Sequence, residues 1–320
     1  MYRVVFFGTE SFAVKILESL LAARDNFSVV AVVTQPARPV GRKQIITHSP
    51  VHTLASAQGL PVLTPEKLRG EEILEQLKNL NADVFVVAQY GLIIPKSILA
   101  IPPNGAVNVH GSLLPRHRGA SPVHAAILSG DTVTGTTFMK MDELMDHGDL
   151  FASYPITINP KETTETLMAR LAELSATHFP SDLKDFLDGS TQAHPQNHAD
   201  ATATGLLSRE SGFINWQTMD AHAIERMIRA LSPWPGVTAH IETIPYKLIA
   251  AHVENGEAIS PNPGLVRIEG KKIILETILG DLVVDQIQPA GKQPMQAADF
   301  INGNAMINGK VCATESASSK

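Results

Sequence analysis

Cysteine is almost missing from this 320-residue chain, where Cys312 stands alone. A single thiol excludes an internal disulfide and any zinc or iron–sulfur site built from several cysteines, and it suits a reducing compartment. Aromatic residues are also scarce, at 5%, with only two tryptophans. No apolar run approaches the ~18 residues of a spanning helix, and the opening stretch from Tyr2 to Gly8 is too short for a secretory signal. A protein of the cytoplasm, with no membrane partner, is therefore expected. There is no basic excess either: 26 Lys and Arg face 32 Asp and Glu, for a net charge of −6. That balance argues against a generic nucleic-acid binder but leaves room for a local basic patch. Finally, no G-x-G-x-x-G follows the Phe7-Gly8-Thr9 turn, which weakens a dinucleotide role and an NAD-dependent oxidoreductase with it. A tight strand-to-helix turn is the plainer reading of Gly8.

What the chain does have is a core. Apolar residues make up 44% and charged residues 18%, enough for one large or two ordinary domains. Short apolar runs at Arg3–Phe7, Val29–Val33 and Asp83–Ala88 read as buried strands. Between and after them, helical spacing appears at Ser11–Leu21, Leu54–Ala57, Glu71–Leu80 and Thr164–Phe179. Alternating strands and helices predict an α/β unit with a doubly wound, mostly parallel sheet over residues 1–188. Residues 189–204, rich in Gly, Ser, Thr, Gln, His, Pro, Asn and Asp, read as a linker. Beyond it, a helix at Ala221–Leu231 and closely spaced strands from Val237 to Ile287 predict a small β-barrel over residues 205–320.

Chemistry concentrates in Asn108-Val109-His110-Gly111-Ser112-Leu113-Leu114-Pro115-Arg116-His117-Arg118-Gly119 and, downstream, in Asp146. On a strand, the i, i+2 spacing turns Asn108 and His110 to one face. An amide, an imidazole and a carboxylate are the groups needed to move an acyl group between nitrogens. The first two can donate to a developing oxyanion, where one donor is worth roughly 3 kcal/mol of barrier. Asp146 would favour a charged imidazole and take the amine proton through a water. Spacing alone leaves open the duller reading of polar residues satisfied within a turn, since 36 positions separate His110 from Asp146. His110, His117 and His124 recur every seven residues, but intervening prolines and glycines break any single helix, so no metal is expected. The loop Gln35–Lys43 carries Arg38, Arg42 and Lys43, which could track phosphates or be merely solvated. Trp234, held between two prolines, reads by default as a core residue.

Taken together, these motifs resemble the methionyl-tRNA formyltransferases along the whole chain. The Asn108–Gly119 signature belongs to the wider family of formyltransferases that use 10-formyltetrahydrofolate. Narrowing it are Phe7-Gly8-Thr9, Thr34-Gln35-Pro36 through Arg42, Ala88-Gln89-Tyr90-Gly91-Leu92-Ile93-Ile94-Pro95, Ile214-Asn215-Trp216, Pro233-Trp234-Pro235-Gly236 and Gln288-Pro289-Ala290-Gly291-Lys292. The resemblance implies a Rossmann-like formyltransferase domain followed by an OB-like barrel. It implies direct formyl transfer, through a tetrahedral intermediate, from 10-formyltetrahydrofolate to methionine on initiator methionyl-tRNA. Carried over by position, Asn108, His110 and Asp146 are catalytic. Ser112, Leu113, Leu114 and Pro115, with Tyr90, Gly91 and Leu92, hold tetrahydrofolate, and Arg38, Arg42 and Lys43 meet the tRNA acceptor end. A monomer without a metal is expected. The chain departs from the family pattern at His147, where Thr is usual, at Ser121 for Ala and at Asn215 for Asp. Its part from residue 205 onward, with ten Lys and Arg against twelve Asp and Glu, is not basic. Within that part, Lys247, Lys271, Lys272 and Lys292 are the candidates for a basic face. A sugar-amine formyltransferase and a non-catalytic RNA-binding barrel are the rival readings.

Overall fold

The computed structural model describes residues 1–41 and 44–314. Two compact units emerge, each discontinuous in sequence. The first is made of Met1–Val123, Val133–Thr157 and Thr166–Gly205; the second takes His124–Thr132, Ile158–Glu165 and the chain from Leu206 onward. The segment 189–204, linker-like in composition, lies in the first unit.

The first unit is built on a seven-stranded sheet. Its strands are β1 (Tyr2–Gly8), β2 (Phe27–Val33), β5 (Val62–Leu63), β6 (Val84–Ala88), β7 (Ala106–His110), β9 (Val133–Lys140) and β10 (Leu150–Thr157). Between them fall a small hairpin, β3 (Arg38–Val40) with β4 (Ile45–Thr47), and a two-strand pairing of β8 (Arg118–Gly119) with β11 (Ala203–Thr204). The spatial order is β10-β9-β7-β6-β1-β2-β5. Five strands are parallel; β9 runs antiparallel to β7, and β10, antiparallel to β9, closes one edge. The apolar strands Val4–Phe7 and Val84–Ala88 are buried throughout, as both faces of a parallel sheet must be.

Helices α1 (Ser11–Ala22), α2 (Pro50–Ala57), α3 (Glu71–Asn79), α4 (Lys96–Leu99), α5 (Pro122–Leu128) and α6 (Thr164–Leu187) accompany these strands. Helix α1 buries Phe12, Ile16, Leu17 and Leu20, one face at i, i+4 spacing. Gly8 admits α1 to the sheet: a β-carbon there would lie 2.6 Å from the Phe6 ring and 2.8 Å from Ala13. The Gly8 turn is therefore a packing device. Ser49 caps α2 by accepting from the His52 amide, with Pro50 in the first turn. Helix α6 runs on through Pro180 to Leu187, past the end that the proline suggests. Phe179 and Leu183, both fully buried, anchor the turns on either side of it.

In the second unit, strands β12 (Val237–Ile241), β13 (Ile244–Glu254), β14 (Val266–Glu269), β15 (Lys272–Glu276), β16 (Asp281–Pro289), β17 (Met295–Gln296) and β18 (Cys312–Ala313) form a curled sheet ordered β14-β15-β16-β13-β12-β18, with β17 beside β16. These strands pair antiparallel. Its two edges meet: Leu265 bridges Val311, and the Cys312 amide donates to the Gly264 carbonyl at 2.8 Å. Gly264 (φ +95°) permits that approach, where a β-carbon would crowd Cys312 and Trp216. Burial pushes the Cys312 thiol up to about 12, so it is a core residue. Helix α7 (Ala221–Leu231), capped by Asp220 on the Ala223 amide, lays Ile224, Met227, Ile228 and Leu231 on the barrel, and α8 (Ala297–Asn304) adds Phe300. Trp216 is 1% exposed and fills the core, whereas Trp234 is 55% exposed. That corrects the core assignment for Trp234: the prolines on both sides hold it in the turn after α7, outside the regular packing.

Charge on the barrel is largely paired. Lys272 bonds Glu254, Arg267 bonds Glu269, Glu276 and Asp281, Lys310 bonds Glu242, and the Lys247 ammonium donates to the Pro233 carbonyl. Two of the four lysines considered for a basic face are thus engaged; Lys271 and Lys292 are exposed. His252 on β13 lies between Asp285 (2.9 Å) and Glu254 (3.2 Å). The hydrogen bond to Asp285 is the largest cause holding its pKa above the ordinary 6.5. The folded state therefore binds this proton more tightly than the unfolded chain does. Its stabilisation is complete below about pH 6.5 and fades as pH rises through the raised folded value. Urea midpoints measured at pH 5.5 and 8.5 should show a pH-dependent component that His252→Gln removes; an unchanged pH dependence in the variant would show that the pairing contributes nothing.

Candidate active site

Asn108 and His110 lie on β7, as their alternation requires, with Val109 buried on the opposite face. The register pairs Asn108 with Val87 of β6 and Met139 of β9, and His110 with Thr137. Asp146 arrives from the loop after β9, which turns back so that its carboxylate covers the face of β7 carrying both side chains. Oδ1 of Asp146 lies 3.3 Å from the Asn108 Nδ2 that donates to it and 3.5 Å from His110 Nδ1. Oδ2 accepts the Gly119 amide at 2.8 Å. The His110 and Asp146 side chains are only 6% and 11% exposed. The three residues are brought together.

The other ring nitrogen of His110 is committed. Nε2 lies 3.0 Å from the His117 carbonyl, and since a carbonyl only accepts, Nε2 carries the hydrogen. Nδ1 is then the nitrogen turned to the site. Thr136 donates to the His110 carbonyl at 3.1 Å and fixes the strand end. Backbone geometry is unusual here: His117 (φ +59°) and Asp146 (φ +49°) are left-handed without being glycine, a cost that concentrates at functional sites. Gly148 lets the loop close, because a β-carbon there would run into the Lys140 carbonyl.

The loop after β7 carries the remaining expected contacts. Ser112 is fully buried; its hydroxyl donates to the Arg116 carbonyl and its carbonyl accepts from Thr137. The Leu114 amide donates to Thr137 Oγ1 at 3.2 Å, and Leu113 packs where Gly135 leaves room. Ser112, Leu113 and Leu114 thus shape the loop, and Pro115 stands partly exposed at its turn. Tyr90 is 2% exposed, edge-on to Phe7 at 5.5 Å, with burial pushing its phenol up to about 12. Its ring belongs to the core, and its carbonyl accepts from Thr9 and Gln35. Gly91 (φ +82°) and Leu92 follow on the surface side.

The loop after β6 (89–96) and the loop after β9 (141–149) are adjacent: Lys96 pairs with Glu143 at 2.8 Å, and Leu92 and Met141 pack on one cluster. On these loops Ile93, Leu144 and Met145 are large, apolar and exposed. Exposed apolar side chains on both loops suit the flat ring of a folate. Among the described residues no cluster of His, Cys, Asp and Glu could hold a metal, and no helix is long and apolar enough to cross a membrane. Arg38 is exposed on the β3–β4 hairpin beside exposed Ile45 and Ile46, where the composition had suggested only a loop. Arg42 and Lys43 lie outside the described residues.

Sequence reasoning missed the support from 194–204. Thr202 Oγ1 accepts from the His117 amide at 2.8 Å, Thr204 Oγ1 accepts from Ser121, and Gln196 donates to the carbonyls of Asp146 and Gly148. His198 stacks on His147 with centroids 4.1 Å apart, and His147 Nδ1 meets Asp142 at 2.7 Å. A Thr at 147 could make neither the stack nor that ring contact. The only signal in the sequence was a polar segment, which composition assigns to a linker.

Comparison with known proteins agrees with this geometry. Residues 2–183 match the family model described as formyl transferase, and residues 206–305 match the formyl transferase C-terminal domain. A methionyl-tRNA formyltransferase of Roseiflexus castenholzii is 44% identical over 96% of this chain and 98% of its own. One from Listeria innocua is 42% identical over 95% and 96%. Among solved structures, an N-formyltransferase from Helicobacter canadensis, in complex with folinic acid and dTDP-3-aminofucose, shares the fold. Its TM-score is 0.67 at 19% identity, over 89% of this chain and 99% of that one. The chain belongs to the formyl transferase family, and its relatives at this level of identity are methionyl-tRNA formyltransferases.

Proposed function

We propose that this chain transfers the formyl group of 10-formyltetrahydrofolate to the α-amino group of methionine on initiator methionyl-tRNA, with Asn108, His110 and Asp146 as the catalytic residues. The observation that carries the reading is the meeting of all three at Asp146 Oδ1. The folate supplies the activated one-carbon unit. Methionine's amine attacks the formyl carbon, and negative charge grows on the formyl oxygen. Asn108 Nδ2 donates to that oxygen, as does Nδ1 of His110, which carries a hydrogen only when the ring is an imidazolium because Nε2–H is already held by His117. Asp146, anchored by the Gly119 amide, orients the imidazole and accepts the amine proton through a water. That proton then goes to the departing folate nitrogen, which balances the transfer.

The chemistry is assigned to residues 1–188 with 189–204 behind them, and support of the tRNA to 205–320. Ser112 to Pro115 and Gly91 to Leu92 border the folate, with Tyr90 as the floor beneath. Arg38, together with Arg42 and Lys43, meets the acceptor end of the tRNA. A monomer acting in the cytoplasm completes the reading.

Single turnover of Asn108→Ala should fall by about 10²–10³, the usual loss of one oxyanion donor. His110→Ala and Asp146→Asn should fall at least as far, with unchanged melting curves. Near-wild-type turnover in any folded member of this set removes that residue from the mechanism. Formyl transfer measured in parallel on methionyl-tRNA and on an amino-sugar nucleotide should appear only with the tRNA, and the opposite outcome would establish the sugar reading. A folate analogue should bind in a titration; tRNA binding without it would favour the non-catalytic barrel.

A further inference from the structure

We infer that Gln196 is a positioning residue for the Asp146 carboxylate, an inference that rests on the proposed role of Asp146 in formyl transfer. Gln196 is 6% exposed. Nε2 donates to the Asp146 carbonyl at 3.0 Å and to the Gly148 carbonyl at 2.7 Å. Oε1 accepts from Arg118, from Nε at 3.2 Å and from Nη2 at 2.6 Å. The orientation of the amide is not in question, because carbonyls only accept and a guanidinium only donates.

These bonds close a ring. From Asp146 the path runs through its carbonyl to Gln196, on to Arg118, along the chain to Gly119, and back through the Gly119 amide to Asp146 Oδ2. Main chain and carboxylate of one residue are thereby fixed against the same short segment, 118–119. The loop needs such a clamp. Asp146 is left-handed, and its neighbours Leu144 and Met145 are 58% and 61% exposed, so apolar packing does not hold the turn. Arg118 also donates to His198 Nδ1 at 2.8 Å, and His198 stacks on His147, so the residue after Asp146 is held from the same side. A catalytic carboxylate displaced by about 1 Å can lose about 10²-fold in rate.

Gln196→Met keeps the length and removes both donors. Gln196→Glu keeps an acceptor for Arg118 but sets oxygen against two carbonyls. A packing role would tolerate Met, and an Arg118-pairing role would tolerate Glu; the clamp tolerates neither. Both variants should lose about 10- to 100-fold in kcat for formyl transfer to methionyl-tRNA, with KM for each substrate within about twofold. In protein labelled with [15N]glycine, the Gly119 amide resonance should move in both, since its acceptor Asp146 Oδ2 is released. In an Asp146→Asn background, Gln196→Met should cost nothing further. Wild-type kcat with an unmoved Gly119 resonance overturns the inference, and so does a loss that multiplies undiminished through Asp146→Asn. If Asp146→Asn itself turns over normally, the catalytic reading of Asp146 fails; the Gly119 resonance then decides alone whether Gln196 holds the turn.

Discussion

The site depends on the antiparallel return of one strand. A parallel sheet sends every strand the same way, and a loop after a further parallel strand would leave from the same end as the loop after β7. Because β9 runs antiparallel to β7, its following loop can turn back over the strand face that carries Asn108 and His110. Gly148 at the close approach to Lys140 and Asp146 in a left-handed conformation are what that turn requires. The acid is then 36 positions from the imidazole in sequence and 3.5 Å from it in space.

Electrostatically the two units differ in kind. Around Asp146 the polar groups are few, mostly buried and directed: Asn108 Nδ2 donates to Oδ1, the Gly119 amide to Oδ2, and His110 Nε2 to the His117 carbonyl. On the barrel, charges cancel locally, some on the open surface, as in Lys272 with Glu254 and Lys310 with Glu242, and some half-buried, with Arg267 facing three carboxylates. The exposed pairs add little stability each, but they neutralise Lys272 and Lys310 and leave Lys271 and Lys292 as the exposed lysines of the proposed basic face. Whatever steering a polyanion receives has more room to arise on the exposed hairpin around Arg38.

Much of this was legible in the chain, for identifiable reasons. Val4–Phe7 and Val84–Ala88 are uninterrupted apolar runs, and only a strand buried on both faces needs them. Asn108 and His110 follow strand alternation, so their shared face could be read directly. What escaped was set by tertiary context. Strand β10 (Leu150–Thr157) contains Pro155, which reads as a breaker but is tolerated because β10 is an edge strand. Pro180 sits inside α6, where Phe179 and Leu183 pack too well for the helix to end. Trp234 looks like core by residue type, yet Trp216 holds that position. The proximity of Asp146 is a long-range fact that no local pattern carries; the family motif supplied it where spacing could not.

The pinning of residues 194–204 redraws the smallest piece of chain that can work. The match to the N-terminal family model ends at residue 183, and composition would place a cut near 188. A fragment ending there keeps Asn108, His110 and Asp146 but discards Gln196, Thr202 and Thr204, and with β11 it discards the partner strand of β8. For recombination between relatives, the crossover that preserves the chemistry falls after Thr204, because the last residues that look like connection are the back wall of the site.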